Sequence, residues 1–442
     1  MGRMNSSAEQ TVCVVGAGAS GLACAIACAQ ELERSGRRAG VRIVVLEQAS
    51  KAGKSILASG NGRCNFSNAR ISVGEYRNAP FVEQTHRALA ALPAQGVLPW
   101  FKGLGLAWRE APATGGLLYP FSNKASTVLA VLLAACKRYG VQILTEQRVQ
   151  GIEQRAESFV VSGQRGVEVG RKTVGKKLKK VKREVEWEPF SLTADVVVVA
   201  AGGVPDEALV CGVPLCPPHP VLGPLAATFA GCSGCGSSSS SPQFPEALDG
   251  VRVPAKLTID QAGFSEEGEV LFRPYGISGI VAFNASRVAT PNSKALLDLA
   301  PEYSEEGFRA LLHDALASSA APTWSALLEG FFVPAVAAIV LCQAGYSANE
   351  VPQEAGLGDV AAAAKGLAFA VQGIEGSQAC QVTRGGCAVS AFDSATLEAR
   401  TAGGLYVLGE ALDVDGPCGG YNLDWAWTCG IVAGTHIGRR FS

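Results

Sequence analysis

Three glycines, Gly16, Gly18 and Gly21, stand between an apolar run, "TVCVV" at 11–15, and a helix-forming run, "LACAIACAQELERSG". Their spacing, G-x-G-x-x-G, suits the binding of a dinucleotide. Gly16 permits a tight turn, Gly18 lets a pyrophosphate approach the backbone, and Gly21 lets the helix pack on the strand. The start of that helix, at Ala19 and Ser20, offers free N–H groups and the positive end of a dipole to phosphate oxygens. A second apolar run, "VRIVVLE", ends at Glu47, with Gln48 beside it. An acid in that place accepts from both ribose hydroxyls and disfavours a 2′-phosphate. The order strand, glycine loop, helix, strand, acid gives the motif its specificity, because the glycine spacing alone is common by chance.

Two further stretches decide between dinucleotides. "ADVVVVAAGG" is another buried, parallel-type strand, followed by Ala201, Gly202 and Gly203. Near the C-terminus, "GGLYVLGEALDVDGPCGGYNLDWAW" gives a strand ending at Gly409 and Glu410, a glycine-rich loop at 416–420, and a helix from about Asn422. A last segment that returns to the first domain suits a long cofactor such as FAD, which needs a second contact at its flavin end. The last helix then starts beside the flavin ring. A helix N-terminus stabilises the negative charge of a reduced flavin by about 0.3–2 kcal/mol, which gives Gly419, Gly420, Tyr421 and Asn422 a physical role.

On these residues the chain resembles the BaiN-type FAD-dependent oxidoreductases, a family that also contains aminoacetone-oxidase-like proteins. Four stretches carry the resemblance: "VVGAGASGLACAIACAQ", "GKSILASGNGRCNFSN", "YPFSNKASTVLAVL" and "VTRGGCAVSAFDSATLEARTAGGLYVLGEALDVDGPCGGYNLDWAW". It implies an α/β fold: an FAD-binding Rossmann-like domain of the glutathione-reductase type, with an inserted β-barrel-like domain carrying a small helical subdomain. It implies that "SGNGRCNFSN", at 59–68, wraps the cofactor near its pyrophosphate and flavin. Gly60 and Gly62 there allow close backbone approach. Arg63 offers a rigid fork to phosphate oxygens or a substrate anion, and Lys54 adds a positive charge nearby. Asn65 suits backbone or flavin heteroatoms. Cys64 admits two roles, direct chemistry or packing against the cofactor. Val149 resembles the position whose backbone holds adenine.

The activity implied is hydride transfer through FAD, with NADH or NADPH as a transient donor, onto an activated double bond of a small hydrophobic substrate. A flavin amine oxidase using oxygen and a non-catalytic flavin-binding protein remain as alternatives. No histidine falls in a motif, so the proton donor is expected among Tyr421, Tyr119 and water. The chain departs from the family pattern at Ser55, where a basic residue is usual, at Leu117, where arginine is usual, and at Asp424, where glutamine is common. The segment "VPDEALVCGVPLCPPHPVLGPL" also replaces a stretch of serine, proline and Gly-Tyr. These changes are expected to spare the nucleotide end and gather on the substrate side.

Stepping outward along the chain, residues 1–205 and 381–442 are expected to form the FAD-binding domain. Residues 206–300 and 346–380 are expected to form the β-rich substrate domain, and 301–345 the helical subdomain. "DGVRVPAKLTID", "GEVLFRPYGISGIVAFNAS" and "GLAFAVQGIEG" read as strands, and "EEGFRALLHDALASS" and "TWSALLEGFFVPAVAAIVLCQAG" as helices. "YGISG" resembles a turn of the family. It is not read as a hydrolase nucleophile elbow at Ser278, because the segment continues as strand.

With 442 residues the chain exceeds one small core, and 48% hydrophobic against 17% charged residues marks it as globular. A net charge of −1 gives no general reason to bind nucleic acid or an anionic membrane, and neither is expected as a partner. The longest apolar run, 331–342, is too short to span a bilayer. The opening residues are not read as a signal peptide, because their apolar run carries the ordered glycine motif. The 14 cysteines are irregularly spaced, and those in apolar helical context, such as Cys24, Cys28 and Cys136, act as small hydrophobes. That pattern points to a reducing cytoplasm. Cys232 and Cys235 stand alone in "GCSGCGSSSSSP", which reads as a flexible linker, and no metal site is expected. Arg171 to Arg183, "RKTVGKKLKKVKR", holds eight basic residues inside an antiparallel excursion of the nucleotide domain and reads as a solvated loop, with binding of an acidic partner as the alternative. The sequence is silent on oligomeric state.

Overall fold

The computed structural model describes residues 10–112, 115–174, 180–229, 246–319 and 321–442, with the backbone alone at 171–174, 180–182, 319 and 377. Cys232 and Cys235 lie outside the described residues. The chain folds as two compact units, one made of Met1–His219 with Thr383–Ser442 and the other of Pro220–Val382.

The first unit is built on a parallel sheet. In space its strands run Leu405–Val407, Val196–Val199, Gln10–Val15, Val41–Glu47 and Gln142–Thr145. Val12 pairs with Val196 on one side and Ile43 on the other, so the first strand lies at the centre. Val196 to Val199 are all fully buried, as a strand covered on both faces requires. The expected FAD-type Rossmann arrangement is therefore present. Helix Ala19–Arg34 leaves the first strand, and helix Tyr421–Arg440 closes the chain against it.

The two helices cross very closely. A Cβ on Gly430 would stand 2.6 Å from the carbonyl oxygen of Ser20, one on Gly434 2.2 Å from that of Cys24, and one on Gly438 3.0 Å from that of Cys28. Steps of four put all three glycines on one helix face, and Ser20, Cys24 and Cys28 step in the same way. The spacing is visible in the sequence but carries no meaning until the partner helix is known.

Strands Phe159–Val174 and Lys180–Ala194 form a long antiparallel hairpin. Strand Gln147–Gln154 pairs with its base, between Phe159 and Arg165. Farther out, Arg171 stands opposite Arg183 and Lys172 opposite Lys182. The basic run read as a loop is thus partly strand, because the hairpin register continues into it. Residues 175–179 are outside the described residues.

The second unit is a closed barrel of antiparallel strands in the order Leu225–Phe229, Gly276–Ser278, Phe264–Arg273, Arg252–Ile259, Lys294–Asp298 and Leu367–Ile374. Alternate residues Ala255, Leu257 and Ile259 are buried, as the pleat dictates. Helices Glu305–Ser319, Trp324–Leu328, Pro334–Ala344 and Leu357–Lys365 belong to this unit. The single helical run expected from Thr323 is split, with Pro334 starting the second helix, where its missing N–H costs nothing. Ile280–Ala285, read as strand, is a helix. Short apolar runs do not separate the two states by periodicity. Ser278 therefore does precede a strand-to-helix turn, made by Gly279 at φ +106. Ile280 breaks the Gly-x-Ser-x-Gly pattern and the backbone of Ser278 is not left-handed, so it is no nucleophile elbow. Among the described residues, no helix is long and apolar enough to cross a membrane.

The helix crossing yields a direct test. Gly434→Val is expected to destabilise the protein by about 1–3 kcal/mol, the usual cost of overpacking, or to prevent folding. Gly40→Ala, with open space around it, is expected to be near neutral in the same urea titration.

Candidate functional site

The nucleotide loop is shaped by contact between backbones. Gly16 has φ +110, and a Cβ on it would stand 2.2 Å from the carbonyl oxygen of Ala200. A Cβ on Gly21 would stand 2.0 Å from the carbonyl oxygen of Gly16. Gly18 caps helix Ala19–Arg34 without any side-chain cap, and the first turn holds no acid. Ala19 and Ser20 are buried. A buried helix start with no side-chain cap is a site for an anion. Glu47, half-buried, accepts from the Ala17 N–H at 2.9 Å and the Ala49 N–H at 2.7 Å. Each of its oxygens keeps a second lone pair for a ribose hydroxyl. Gln48 is exposed beside it.

Three segments close around this loop. The Gly53 N–H donates to the Ala17 carbonyl at 2.9 Å, which brings in Lys54 and Ser55. The Cβ position of Gly18 is 3.3 Å from the Ser55 hydroxyl. On the other side, the Cβ position of Gly409 is 2.9 Å from the Ser20 hydroxyl. Trp425 donates to the Gly409 carbonyl at 3.2 Å, and the Gly409 N–H donates to Cys429 Sγ at 3.0 Å. Glu410 accepts from the Thr383 N–H at 2.7 Å, and burial pushes its carboxyl above the usual range. Ala201 and Gly202 are exposed and Gly203 half-buried, just past the central strands. Val149 is half-buried in the strand beside the long hairpin.

The stretch 59–68 forms a tight knuckle. Gly60, Asn61, Gly62 and Cys64 all have positive φ. The Arg63 and Cys64 N–H groups donate to the Gly60 and Ser59 carbonyls, both at 3.1 Å. Arg63 is left exposed, with its guanidinium 5.1 Å from the Tyr119 ring centre. Cys64 is fully buried, and burial pushes its thiol up to about 11. A thiol so placed is protonated and inert at neutral pH. Asn65 Oδ1 is buried with no partner.

From Phe66 onward this stretch is stitched to the start of the last helix. The Trp427 indole donates to the Phe66 carbonyl at 2.8 Å, the Ser67 hydroxyl to Asp424 Oδ1 at 2.6 Å, and Asn68 Nδ2 to the Gly419 carbonyl at 2.9 Å. Gly420 has φ +98 and lies so near Ser67 that a Cβ would stand 2.5 Å from its carbonyl oxygen. Asn422 grips the preceding loop, accepting from the Gly416 N–H and donating to the Gly416 carbonyl, both at 2.9 Å. The Tyr421 ring packs 5.3 Å from Tyr76, and its hydroxyl is bonded to the Ser72 N–H at 3.3 Å and the Arg70 carbonyl at 3.4 Å. Ser67, Asn68 and Trp427 lie inside the quoted motifs, but nothing in the sequence marks them as partners.

The uncapped helix start and the orphaned Asn65 oxygen are what a bound dinucleotide would satisfy, so the residues present fit FAD. Of the departures at Ser55, Leu117 and Asp424, Ser55 does not spare the nucleotide loop as expected, while Leu117 and Asp424 stand at the start of the last helix. Ser55 adjoins Gly18, a Leu117 methyl is 3.1 Å from the Cβ position of Gly419, and Asp424 bonds Ser67.

A family model described as "HI0933-like protein Rossmann domain" matches residues 10–436. The chain belongs to this HI0933-like family. It is 30% identical to the 3-dehydro-bile acid delta(4,6)-reductase of Clostridium scindens, over 97% of this chain and 98% of that one. It is 26% identical to the ribosomal RNA dihydrouridine synthases of Haemophilus influenzae, over 97% and 98% of the two chains, and of Escherichia coli, over 94% of each. Among solved structures, a flavocytochrome c3 fumarate reductase in its open conformation is 15% identical, with a TM-score of 0.41, over 98% of this chain and 79% of that one. This HI0933-like protein is a flavoprotein oxidoreductase.

Asp424 is the most perturbed acid of the site. It is 4% exposed, and burial pushes its carboxyl up to about 6 while the Ser67 hydroxyl pulls it down. His86 Nε2 stands 3.9 Å from Asp424 Oδ2, and burial pushes this imidazole down to about 4, so it offers no positive charge. A carboxyl raised on folding gives stability below its unfolded value near 4 that is lost as pH rises through 6. Asp424→Asn mimics the protonated form and keeps an acceptor for Ser67. It is expected to raise unfolding free energy at pH 8 by up to about 3 kcal/mol, at 1.36 kcal/mol per unit, and to change little at pH 4. Urea titrations at both pH values check this.

Proposed function

We propose that this protein reduces a carbon–carbon double bond conjugated with a carbonyl group, with FAD as its resident cofactor and NADH or NADPH as a transient donor. The observation that supports this is the stitching of 66–68 to 419–427, which joins the knuckle to an uncapped helix start. It occurs in a chain 30% identical, along its length, to a named delta(4,6)-reductase. FAD, when bound, supplies hydride acceptance and donation.

The remaining roles belong to the chain. Gly16, Gly18, Ala19, Ser20 and Gly21 cradle the pyrophosphate, Glu47 the ribose, and the Val149 backbone the adenine. Lys54, Gly60, Gly62, Arg63 and Asn65 line the cofactor's middle, and Gly203, Gly409 and Glu410 its opposite side. Gly419 and Gly420 bring the last helix start to its reactive end, where the dipole favours negative charge by about 0.3–2 kcal/mol. Cys64 packs rather than reacts. The hydroxyl of Tyr421 is already bonded to the 70–72 loop, so the proton that completes reduction is assigned to water or Tyr119.

A second reading has one observation in its favour. The double bond of a uracil base is also conjugated with a ring carbonyl, so the same chemistry would serve the uridine of an RNA. The hairpin register that sets Arg171 opposite Arg183 and Lys172 opposite Lys182 favours a polyanionic substrate body. The net charge of −1 does not oppose this, because eight of the 38 basic residues stand together within 171–183.

The purified protein is expected to show oxidised-flavin bands that bleach anaerobically with NADH or NADPH and return on adding an enone. Bands that resist both donors, with peroxide formed from an amine, would replace this reading with an oxidase. Tyr421→Phe is expected to hold kcat within about threefold, far from the 10²–10⁴ loss of a general acid. Steady-state rates with the reducing donor decide it.

A further inference from the structure

We infer that Asp424 takes up one proton when negative charge arrives at the start of the last helix, so that each reduction of the flavin draws a proton into the protein. The inference rests on the reading above, in which Gly420 brings that helix start to the cofactor's reactive end. Asp424 lies in the first turn of the helix, its N–H donating to the Gly420 carbonyl at 2.9 Å. Its Oδ1 accepts from the Ser67 hydroxyl at 2.6 Å, and the Ser67 backbone is what Gly420 packs against. The carboxyl thus shares its surroundings with the helix end assigned to the flavin.

The second observation is an acceptor that lacks a donor. His86 Nε2, on helix Ala79–Ala90, is buried without a hydrogen-bond partner and stands 3.9 Å from Asp424 Oδ2. Burial holds this imidazole down to about 4, so it is neutral near pH 7. With its proton on Nδ1, the free lone pair of Nε2 faces the carboxyl. An ionised carboxyl sets two acceptors against each other, whereas a protonated one has an O–H to give. A small rotation closes the gap to hydrogen-bond length. A buried acceptor left unmade costs free energy, so the proton has a place the ionised form leaves unsatisfied. The His86 side chain is 22% exposed, which gives the proton a way in from solvent.

No cation nearby takes the place of that proton. The side chains that act on Asp424 are the hydroxyls of Ser67 and Thr428. On the segments packed around it, Glu83 pairs with Arg87, Arg77 with Asp413 and Arg384 with Asp415. Glu410 accepts from the Thr383 N–H, and Arg70, Glu75 and Lys102 are exposed. Glu31 pairs with Arg34 and Arg439 at the far end of the helix pair. A like charge disfavours an ionised carboxyl, and burial has already brought this one to about 6. Negative charge at Gly420 also takes up the dipole that favours the carboxylate. The balance is simple. A hydride from NADH or NADPH brings two electrons and one proton, and solvent supplies one further proton to Asp424, which returns there as the electrons leave.

The test is the flavin's midpoint potential from pH 5 to pH 9, measured anaerobically on the full-length holoprotein with xanthine, xanthine oxidase and a reference dye. For a two-electron couple a tenfold change in equilibrium is about 30 mV, so each proton taken up adds about 30 mV per pH unit. In the parent the slope is expected to steepen from about 30 to about 60 mV per pH unit above pH 6. Asp424→Asn is expected to hold about 30 mV throughout, to match the parent at pH 5 and to lie above it at pH 8. A purely structural Asp424, or a proton taken by the flavin itself, would leave the two curves parallel. Parallel curves, or a parent slope that stays near 30 mV from pH 5 to pH 9, overturn the inference and leave the reductase reading standing. A parent that takes up no flavin overturns both.

Discussion

Gly434 meets the carbonyl oxygen of Cys24 at a distance that no side chain tolerates, and Gly430 and Gly438 repeat the contact one turn to either side. Because the two backbones lie this close, the last helix has little freedom to slide or roll on the first. That constraint sets both ends of the site. The first helix begins at the Gly16–Gly21 loop, and Gly409 comes against Ser20 there. The last helix begins at Gly420, against Ser67. A dinucleotide site needs a fixed separation between its phosphate end and its reactive end, and under the proposed reading a rigid helix pair would supply it from residues at opposite ends of the chain.

The acids of the 413–424 segment show how burial and pairing compete. Asp415 is fully buried, and Arg384 grips both its oxygens at 2.8 and 3.0 Å. Asp413, also buried, takes Arg77 at 2.8 Å and the Gly385 N–H at 3.1 Å, and these outweigh burial to hold its carboxyl below the usual range. Asp424 has a hydroxyl and a neutral imidazole where the others have guanidinium groups, so burial wins there. Two ion pairs therefore pin the loop that leads into the last helix, while the helix's own first turn carries an acid whose charge is costly.

How much of this the sequence discloses depends on the range of the interaction. The Gly16–Gly21 loop, Glu47 and the strands around them follow from local chemistry, since turn, helix start and strand period are written within a few residues. The links from Phe66, Ser67 and Asn68 to Trp427, Asp424 and Gly419 are invisible, because no propensity connects residues so far apart in the chain. The hydroxyl of Tyr421 shows the same limit. Its position at a helix start suggests chemistry, and only the fold reveals that Arg70 and Ser72 occupy it. Ile280–Ala285 fails for a different reason, since a short apolar run is equally a strand or a helix until its neighbours are placed.

The departures from the family pattern gain meaning from where they sit. Ser55 and Leu117 replace expected cations, and Asp424 places a titratable acid where a neutral amide is usual. All three adjoin cofactor motifs, so the change is one of sign: less positive charge, and one acid added. The side-chain cations of the 54–68 stretch are Lys54 and Arg63, both exposed and therefore screened by solvent and salt. Under the proposed FAD reading, negative charge on the cofactor would be met mainly by fixed dipoles, the helix starts at Gly18 and Gly420. Dipoles of this kind carry no counterion and do not titrate. An ionised Asp424 in the first turn at Gly420 works against that dipole for an arriving anion. The proton on one buried carboxyl thus bears on how readily the site accepts negative charge.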